Sequence, residues 1–259
     1  MEVKKEKKWE TIAVTIEEEI ATLTLNRPRE FNALNRRMFR ELWQALTGVA
    51  GDERARVVVL TGARKAFCLG IDLEEASSWG AETWREFLPL FQEIIITLAT
   101  MPKPTIAAIN GFATGAGLDL ALACDLRIAS EGAKLGEAFI RQGLVPDGGG
   151  TFFLPRLVGL AKAAELIFTG EAITAQEAER IGLINKVVPA NDLSSEVHKW
   201  ARGLIQRSKL ALALAKRNLY QELSLDLRKA LKLEADAQKE CLASNGFQKG
   251  LLTYQKRRR

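Results

Sequence analysis

Cysteine and histidine are scarce in this chain of 259 residues. Cys68, Cys124 and Cys241 lie far apart and form no CxxC pair, which argues against a disulfide framework and against structural zinc, and fits a reducing cytoplasm. The single histidine, His198, stands in a polar helical stretch, so histidine-based triads and histidine-rich metal centres are excluded and no metal site is expected. Long apolar runs are missing too: those near residues 94–96 and 121–123 fall far short of a membrane span, so no membrane partner is expected. The opening MEVKKEKKWE alternates lysine with glutamate around no apolar stretch and reads as neither a secretory signal nor a transit peptide.

Apolar residues make up 47% of the chain and charged residues 27%, a balance that supports one sizeable core. The net charge of +5 favours polyanions, and much of the excess sits at Lys4, Lys5, Lys7 and Lys8 and at Lys256, Arg257, Arg258 and Arg259. Phosphate-rich cofactors and RNA are both compatible with that charge. Elsewhere the basic residues form scattered pairs such as Lys216-Arg217 and Arg228-Lys229, not an interleaved stripe, so nucleic acid is not the expected partner.

Patterning predicts alternating strands and helices. Stretches 11–16 and 20–25 flank Glu17-Glu18-Glu19 and read as an antiparallel pair. Asn35 is placed to cap a helix reaching residue 49, with apolar residues at 38, 39, 42, 46 and 49 on one face. RVVVL at 56–60 reads as a buried strand, 61–72 as a loop, and 82–99 as a helix ended by Pro102 and Pro104. A strand at 105–110 leads to Gly111, a Gly/Ala-rich helix start at 114–123 and a short strand at 126–129. That alternation implies parallel βαβ geometry. Beyond residue 160 the pattern turns helical, with a capping box at Thr174-Ala-Gln-Glu177, a short strand at 185–189 and amphipathic helices over 192–243. The reading is one core, residues 1–190, that carries the active site, then a helical region, 191–259, of the kind that packs on a neighbouring subunit.

Three glycine-rich turns carry the chemistry. In Asn110-Gly-Phe-Ala-Thr-Gly-Ala-Gly-Leu-Asp119, small residues let backbone N–H groups approach a ligand where a helix begins. A short-chain dehydrogenase would also need Tyr-x-x-x-Lys, and neither Tyr220 nor Tyr254 has lysine four residues on. The absence of GxxxxGK[ST] excludes a P-loop. Ala66-Phe-Cys-Leu-Gly-Ile-Asp-Leu73 and Gly143-Leu-Val-Pro-Asp-Gly-Gly-Gly-Thr151 complete the set, each an ordinary turn when taken alone.

Taken together, with NRPREFNAL upstream and Phe-Leu-Pro-Arg-Leu-Val-Gly159 downstream, these motifs resemble the enoyl-CoA hydratase/isomerase (crotonase) family in order and spacing. The resemblance implies an α/β fold, a crotonase-like spiral of ββα units with a C-terminal helical region, assembled as a homotrimer or a dimer of trimers. It implies an acyl-CoA thioester substrate, with coenzyme A entering as part of the substrate and no cofactor bound permanently. The thioester oxygen is expected between the backbone N–H groups of Ile71 and Ala116, an oxyanion hole for the enolate formed beside a thioester, each donor lowering the barrier by about 3 kcal/mol. Family contacts to coenzyme A fall here on Arg27, on Ala66, Cys68, Gly70, Asp72 and Leu73, and on Lys256, which matches a C-terminal basic residue that approaches the phosphates. The acyl pocket is expected from the 73–100 stretch, with Trp79, Trp84 and Phe87 available to line it.

Family hydratases hold water between two glutamates, whose positions are occupied here by Asp119 and Phe139. A phenyl ring transfers no proton, so the water-adding mechanism loses one arm. Asp147 gains importance, because dienoyl-CoA and ring-epoxide isomerases of the family carry an acid at that position, and the latter resemble this chain through AF-xxx-GL-x-PD-x-GGT. Chlorobenzoyl-CoA dehalogenases share the aspartate but add a histidine base that this chain does not supply. The expectation is an enoyl-CoA isomerase, with Asp147 as principal acid/base, its pKa raised beside Phe139, and Asp119 as a second acid/base. Addition of water to a 2-enoyl-CoA is the alternative, and a family member that binds AU-rich RNA provides one of a different class. Glu137 is the nearby residue that could replace the lost glutamate if 137–139 were extended, since alternation would put both side chains on one face. The spacing from 139 to Gly143 favours position 139 instead.

Overall fold

The computed structural model describes residues 9–257. β1 (Ile12–Glu17) and β2 (Ile20–Leu25) form the expected antiparallel pair around a tight turn in which Glu18 and Glu19 both adopt positive φ. β3 (Val57–Gly62), β5 (Thr105–Ile109), β7 (Leu126–Ser130) and β10 (Lys186–Val188) then add in parallel, giving the sheet order β1-β2-β3-β5-β7-β10. A second sheet runs β4-β6-β8-β9 through β4 (Ala66–Cys68), β6 (Phe112–Thr114), β8 (Lys134–Gly136) and β9 (Ile173–Thr174), antiparallel only at its last pair. After β1 and β2, which share the larger sheet, the pairs β3/β4, β5/β6 and β7/β8 each lay one strand in each sheet before a helix. That is the ββα spiral. The loop expected at 61–72 contains β4, a strand too short to show a period in sequence.

The helices are α1 (Arg36–Gly51), α2 (Leu73–Ala76), α3 (Ala81–Thr100), α4 (Ala116–Leu122), α5 (Gly150–Val158), α6 (Leu160–Thr169), α7 (Ala175–Arg180), α8 (Leu193–Ile205), α9 (Lys209–Gln221), α10 (Leu227–Leu242) and α11 (Asn245–Arg257). Asn35 accepts the Met38 N–H at 2.9 Å and so starts α1, and Met38, Phe39, Leu42, Leu46 and Val49 turn inward as their spacing predicts. Thr174 caps α7 by accepting the Glu177 N–H.

Strand alternation divides the interior in two. Leu23, Val58, Leu60, Ala107 and Ile109 face the larger core with α1 and α3. Val57, Val59, Ile106, Ala108 and Ile128 face the other way, where Leu193, Val197, Ala201 and Ile205 of α8 cover them. Burial on both faces is why β3 and β5 read as nearly continuous apolar runs. No helix among the described residues is long and apolar enough to cross a membrane.

Candidate active site

The segment after β4 is fixed from both sides. Leu34 N–H donates to Gly70 O at 2.8 Å, and Asp72 N–H donates to Leu34 O at 3.0 Å, so the bridge uses the residues flanking Ile71 and leaves the Ile71 N–H out of it. Gly70 holds φ at +98°, and a Cβ there would lie 2.8 Å from Thr114 O and 3.6 Å from Ala116 N. A Cβ on Gly117 would strike Cys68 O at 2.1 Å. Glycine at both positions lets the start of α4 close against the segment carrying Ile71. Ala116 is the first residue of α4, where a helix offers its N–H no internal acceptor. Two backbone donors therefore border one site.

Ile71, Ala116, Phe139 and Leu144 form the wall shared by two cavities. One is a wide cleft of about 560 Å³ whose lining includes Gly70, Asp72, Leu73 and Arg141. The other is a small apolar chamber of about 30 Å³ bounded by Phe39, Trp79, Trp84, Phe87, Phe91 and Asp147. Trp79 stacks on Phe87 with ring centroids 5.2 Å apart and meets Trp84 edge-on at 4.9 Å.

Three carboxyls gather behind this wall. Asp119, on α4, is fully buried; its Oδ2 accepts the Gly148 N–H at 3.2 Å, and its Oδ1 has no partner. Glu137, also fully buried, precedes a short helical turn at Ala138–Gln142, and its Oε1 shares the space beside Gly150 with Asp119 Oδ1. Asp147 is half-buried with Oδ1 enclosed and unpartnered. The glycines of PDGGGT make room for these acids: a Cβ on Gly148 would stand 2.7 Å from Asp119 Oδ2, and one on Gly150 would stand 2.7 Å from Glu137 Oε1 and 2.9 Å from Asp119 Oδ1. Burial, then the Asp147 charge, raises the Asp119 carboxyl far above its ordinary range. Burial, then the Asp119 charge, does the same to Glu137. Asp147 is pushed up to about 6, by burial. Among the described residues no group of His, Cys, Asp or Glu is arranged to hold a metal ion.

The structure brings together Ile71, Ala116, Gly70, Asp72, Leu73, Phe139 and Asp147 on the two cavities, with Asp119 directly behind. Arg27, Ala66 and Cys68, also expected near coenzyme A, lie away from the lining of these cavities. Arg27 donates to Ala33 O at 2.6 Å and pairs with Asp72 at 2.8 Å, so it braces the loop and does not border the cleft. Ala66 and Cys68 are buried in β4, where Ala66 O accepts from Asn32 and Asn110, and burial pushes the Cys68 thiol up to about 12. The Lys256 side chain lies outside the described residues.

Glu137 departs from the expectation of strand alternation. The segment after it coils into a helical turn, so Glu137 and Phe139 do not share a face by that rule, yet Glu137 meets Asp119 beside Gly150. Phe139 sits against Gly115, 3.6 Å from where its Cβ would be. The signal in the sequence is the glycine run itself, because Gly148 and Gly150 are the positions that the two acids require to be empty.

The chain as a whole is similar to known proteins. The model of the enoyl-CoA hydratase/isomerase family matches residues 15–259. The crotonyl-CoA hydratase of Syntrophomonas wolfei subsp. wolfei is 38% identical over 252 residues, covering 97% of each chain. The short-chain-enoyl-CoA hydratase of Clostridium acetobutylicum is 35% identical over 244 residues, 94% of each. The crystal structure of an enoyl-CoA hydratase from Bacillus anthracis superposes with a TM-score of 0.93 at 36% identity, covering 96% of this chain and 97% of that one. The chain belongs to the enoyl-CoA hydratase/isomerase family and has its crotonase fold. It is an enzyme of the hydratase/isomerase class.

Proposed function

We propose that the chain isomerises an enoyl-CoA, moving a double bond by proton transfer through Asp147. The observation that carries this reading is that Asp147 alone of the three carboxyls lines the apolar chamber. The thioester carbonyl accepts hydrogen bonds from the Ile71 and Ala116 N–H groups, with coenzyme A in the wide cleft and the acyl chain in the chamber. Asp147 as carboxylate takes a proton from the carbon beside the thioester of a 3-enoyl-CoA. The C–H electron pair moves into the conjugated enolate, whose oxygen the two N–H groups stabilise. Asp147, now the acid, returns the proton to the far carbon, and the product is the conjugated 2-enoyl-CoA. A base with pKa about 6 is deprotonated at neutral pH and still a competent acid once protonated, which suits a group that works in both directions.

Hydration is the second reading, favoured by relatives that are named crotonyl-CoA hydratase and short-chain-enoyl-CoA hydratase. It uses the same oxyanion donors and differs in needing a water between two acids. Ultraviolet absorbance separates the two: formation of conjugation from a 3-enoyl-CoA marks isomerase, and loss of conjugation from crotonyl-CoA marks hydratase. Asp147→Asn is expected to lower turnover of the 3-enoyl-CoA by about 10²–10⁴-fold. Unchanged turnover in that variant overturns the role given to Asp147, and faster hydration than isomerisation by the unaltered enzyme hands the function to the second reading.

A further inference from the structure

We propose that Glu137 is a positioning residue of the active site that holds a proton: it stays a neutral acid and donates its O–H to the Asp119 carboxylate, so that the pair carries one proton through turnover. The inference deepens the proton-transfer reading above and rests on it for its catalytic consequence. The location of the proton rests on the unpartnered oxygens of the two acids, on the one N–H that Asp119 accepts, and on their shared space beside Gly150.

The oxygens set the requirement. With both carboxyls ionised, Asp119 Oδ1, Glu137 Oε1 and Glu137 Oε2 are buried without a donor. A buried unpartnered charge is far costlier than a buried neutral acid that donates a hydrogen bond. One proton between the two residues gives Asp119 Oδ1 a donor and removes one of two adjacent negative charges. Which residue keeps the proton follows from the donors around them. Asp119 already accepts the Gly148 N–H, just before the N-terminus of α5, and this favours its charged form. Glu137 accepts none, so Glu137 keeps the proton.

Every charged group acting on Glu137 points the same way. Asp119 faces it from α4 and Asp147 from the loop before α5, and both are acidic. The start of α5 contributes only Gly150 at this point, and α3 contributes Phe91, an apolar ring packed beside Gly148. Glu137 does not border either cavity, which keeps it away from the reacting carbons. Its effect passes through Asp119 and through the charge felt by Asp147.

Infrared difference spectroscopy of the full chain at neutral pH, unaltered enzyme minus Glu137→Gln, tests the proton without needing turnover. The expected result is the C=O stretch of one protonated carboxylic acid, shifted in deuterated water and missing from Glu137→Gln. A folded Glu137→Gln that loses no such band overturns the proposal. Should that variant fail to fold, Asp119→Asn takes its place, since the Glu137 acid then loses its anionic acceptor and its band moves to higher frequency; an unmoved band overturns the proposal equally. Turnover supplies the second readout. Glutamine still donates an N–H to Asp119, so at neutral pH Glu137→Gln turns over about 10- to 100-fold faster than Glu137→Ala, which offers no donor. On the alkaline side the unaltered enzyme declines as the pair gives up its proton, and Glu137→Gln, with no proton to lose there, does not. An alkaline decline identical in both overturns the positioning role. A chain that turned over no enoyl-CoA would refute the isomerase and hydratase readings while leaving the infrared result intact.

Discussion

Two clusters of buried charge flank α4, and they resolve the cost of burial in opposite ways. Beyond its C-terminal end, Lys216 of α9 donates to Leu98 O at 2.9 Å and Lys103 O at 3.1 Å and pairs with Asp125 at 2.9 Å. Asp125 also accepts from Thr105 N–H at 2.7 Å and from the Tyr220 hydroxyl at 3.1 Å. Lys103 reaches Val49 O and Asp52 O at 2.6 Å each, and Arg127 donates to Leu183 O at 2.9 Å and Cys124 O at 2.6 Å. These three cations end on carbonyls at the C-termini of α1, α3 and α4, where the last turn of a helix needs donors. On the other side of α4, Asp119, Glu137 and Asp147 leave four oxygens unpartnered. A buried network with every partner in place specifies a fold; one with partners missing marks chemistry.

The contrast can be broken from the mixed cluster first. Lys216→Met would strand the Asp125 charge and leave the carbonyls of Leu98 and Lys103 short of a donor. The expected loss is about 3 kcal/mol of stability, with turnover of the folded fraction unchanged. Thermal unfolding would show a fall in Tm of roughly 6–12 °C for a domain of this size. A Tm that does not move would mean that the mixed cluster is no more structural than the acidic one.

Gly150→Ala probes the acidic side by crowding. Its Cβ would press on Glu137 and Asp119 together, and overpacking of this kind costs about 1–3 kcal/mol. Because the displaced groups are the acid pair, turnover should fall by a larger free energy than stability does. Measuring kcat and Tm on the same preparation tests that ratio. A stability loss with normal kcat would reverse it.

How legible each region is in sequence follows from the range of its interactions. α1 is readable because Asn35 and an apolar face with helical spacing are local signals, and β3 and β5 because burial on both faces makes them continuously apolar. The second sheet is not, since its strands are three residues or fewer and show no period. Ile71, Ala116 and Asp147 are placed by the motifs that carry them. Glu137 is named by the sequence but on the wrong ground, an extended segment, because its orientation depends on a helical turn after β8 and on an aspartate 18 residues earlier on α4, neither of which spacing along one segment reveals. The partners of Arg27, Ala33 and Asp72, are likewise set by the way 26–34 folds against the start of α2, which no motif spells out.

The smallest expected effect is also the most direct comparison of the two clusters, because it reverses the sign of the first. Removing charge from the mixed cluster destabilises; removing it at Asp147 should stabilise. Burial raises the Asp147 carboxyl from 3.8 to about 6, so between those values the folded chain binds more protons than the unfolded chain. Stability from this group therefore falls as pH rises through that window, and the penalty is complete near neutrality. A rise of that size corresponds to about 3 kcal/mol at most, and with the residue half-buried a gain of about 1–2 kcal/mol is expected in Asp147→Asn at pH 7. The same variant should show almost no gain near pH 4, where the carboxyl is protonated in the folded chain. Denaturant unfolding of both proteins across that range measures the difference. A gain independent of pH would place its origin in packing, and a loss of stability at pH 7 would mean that Asp147 has found partners and belongs with the satisfied cluster.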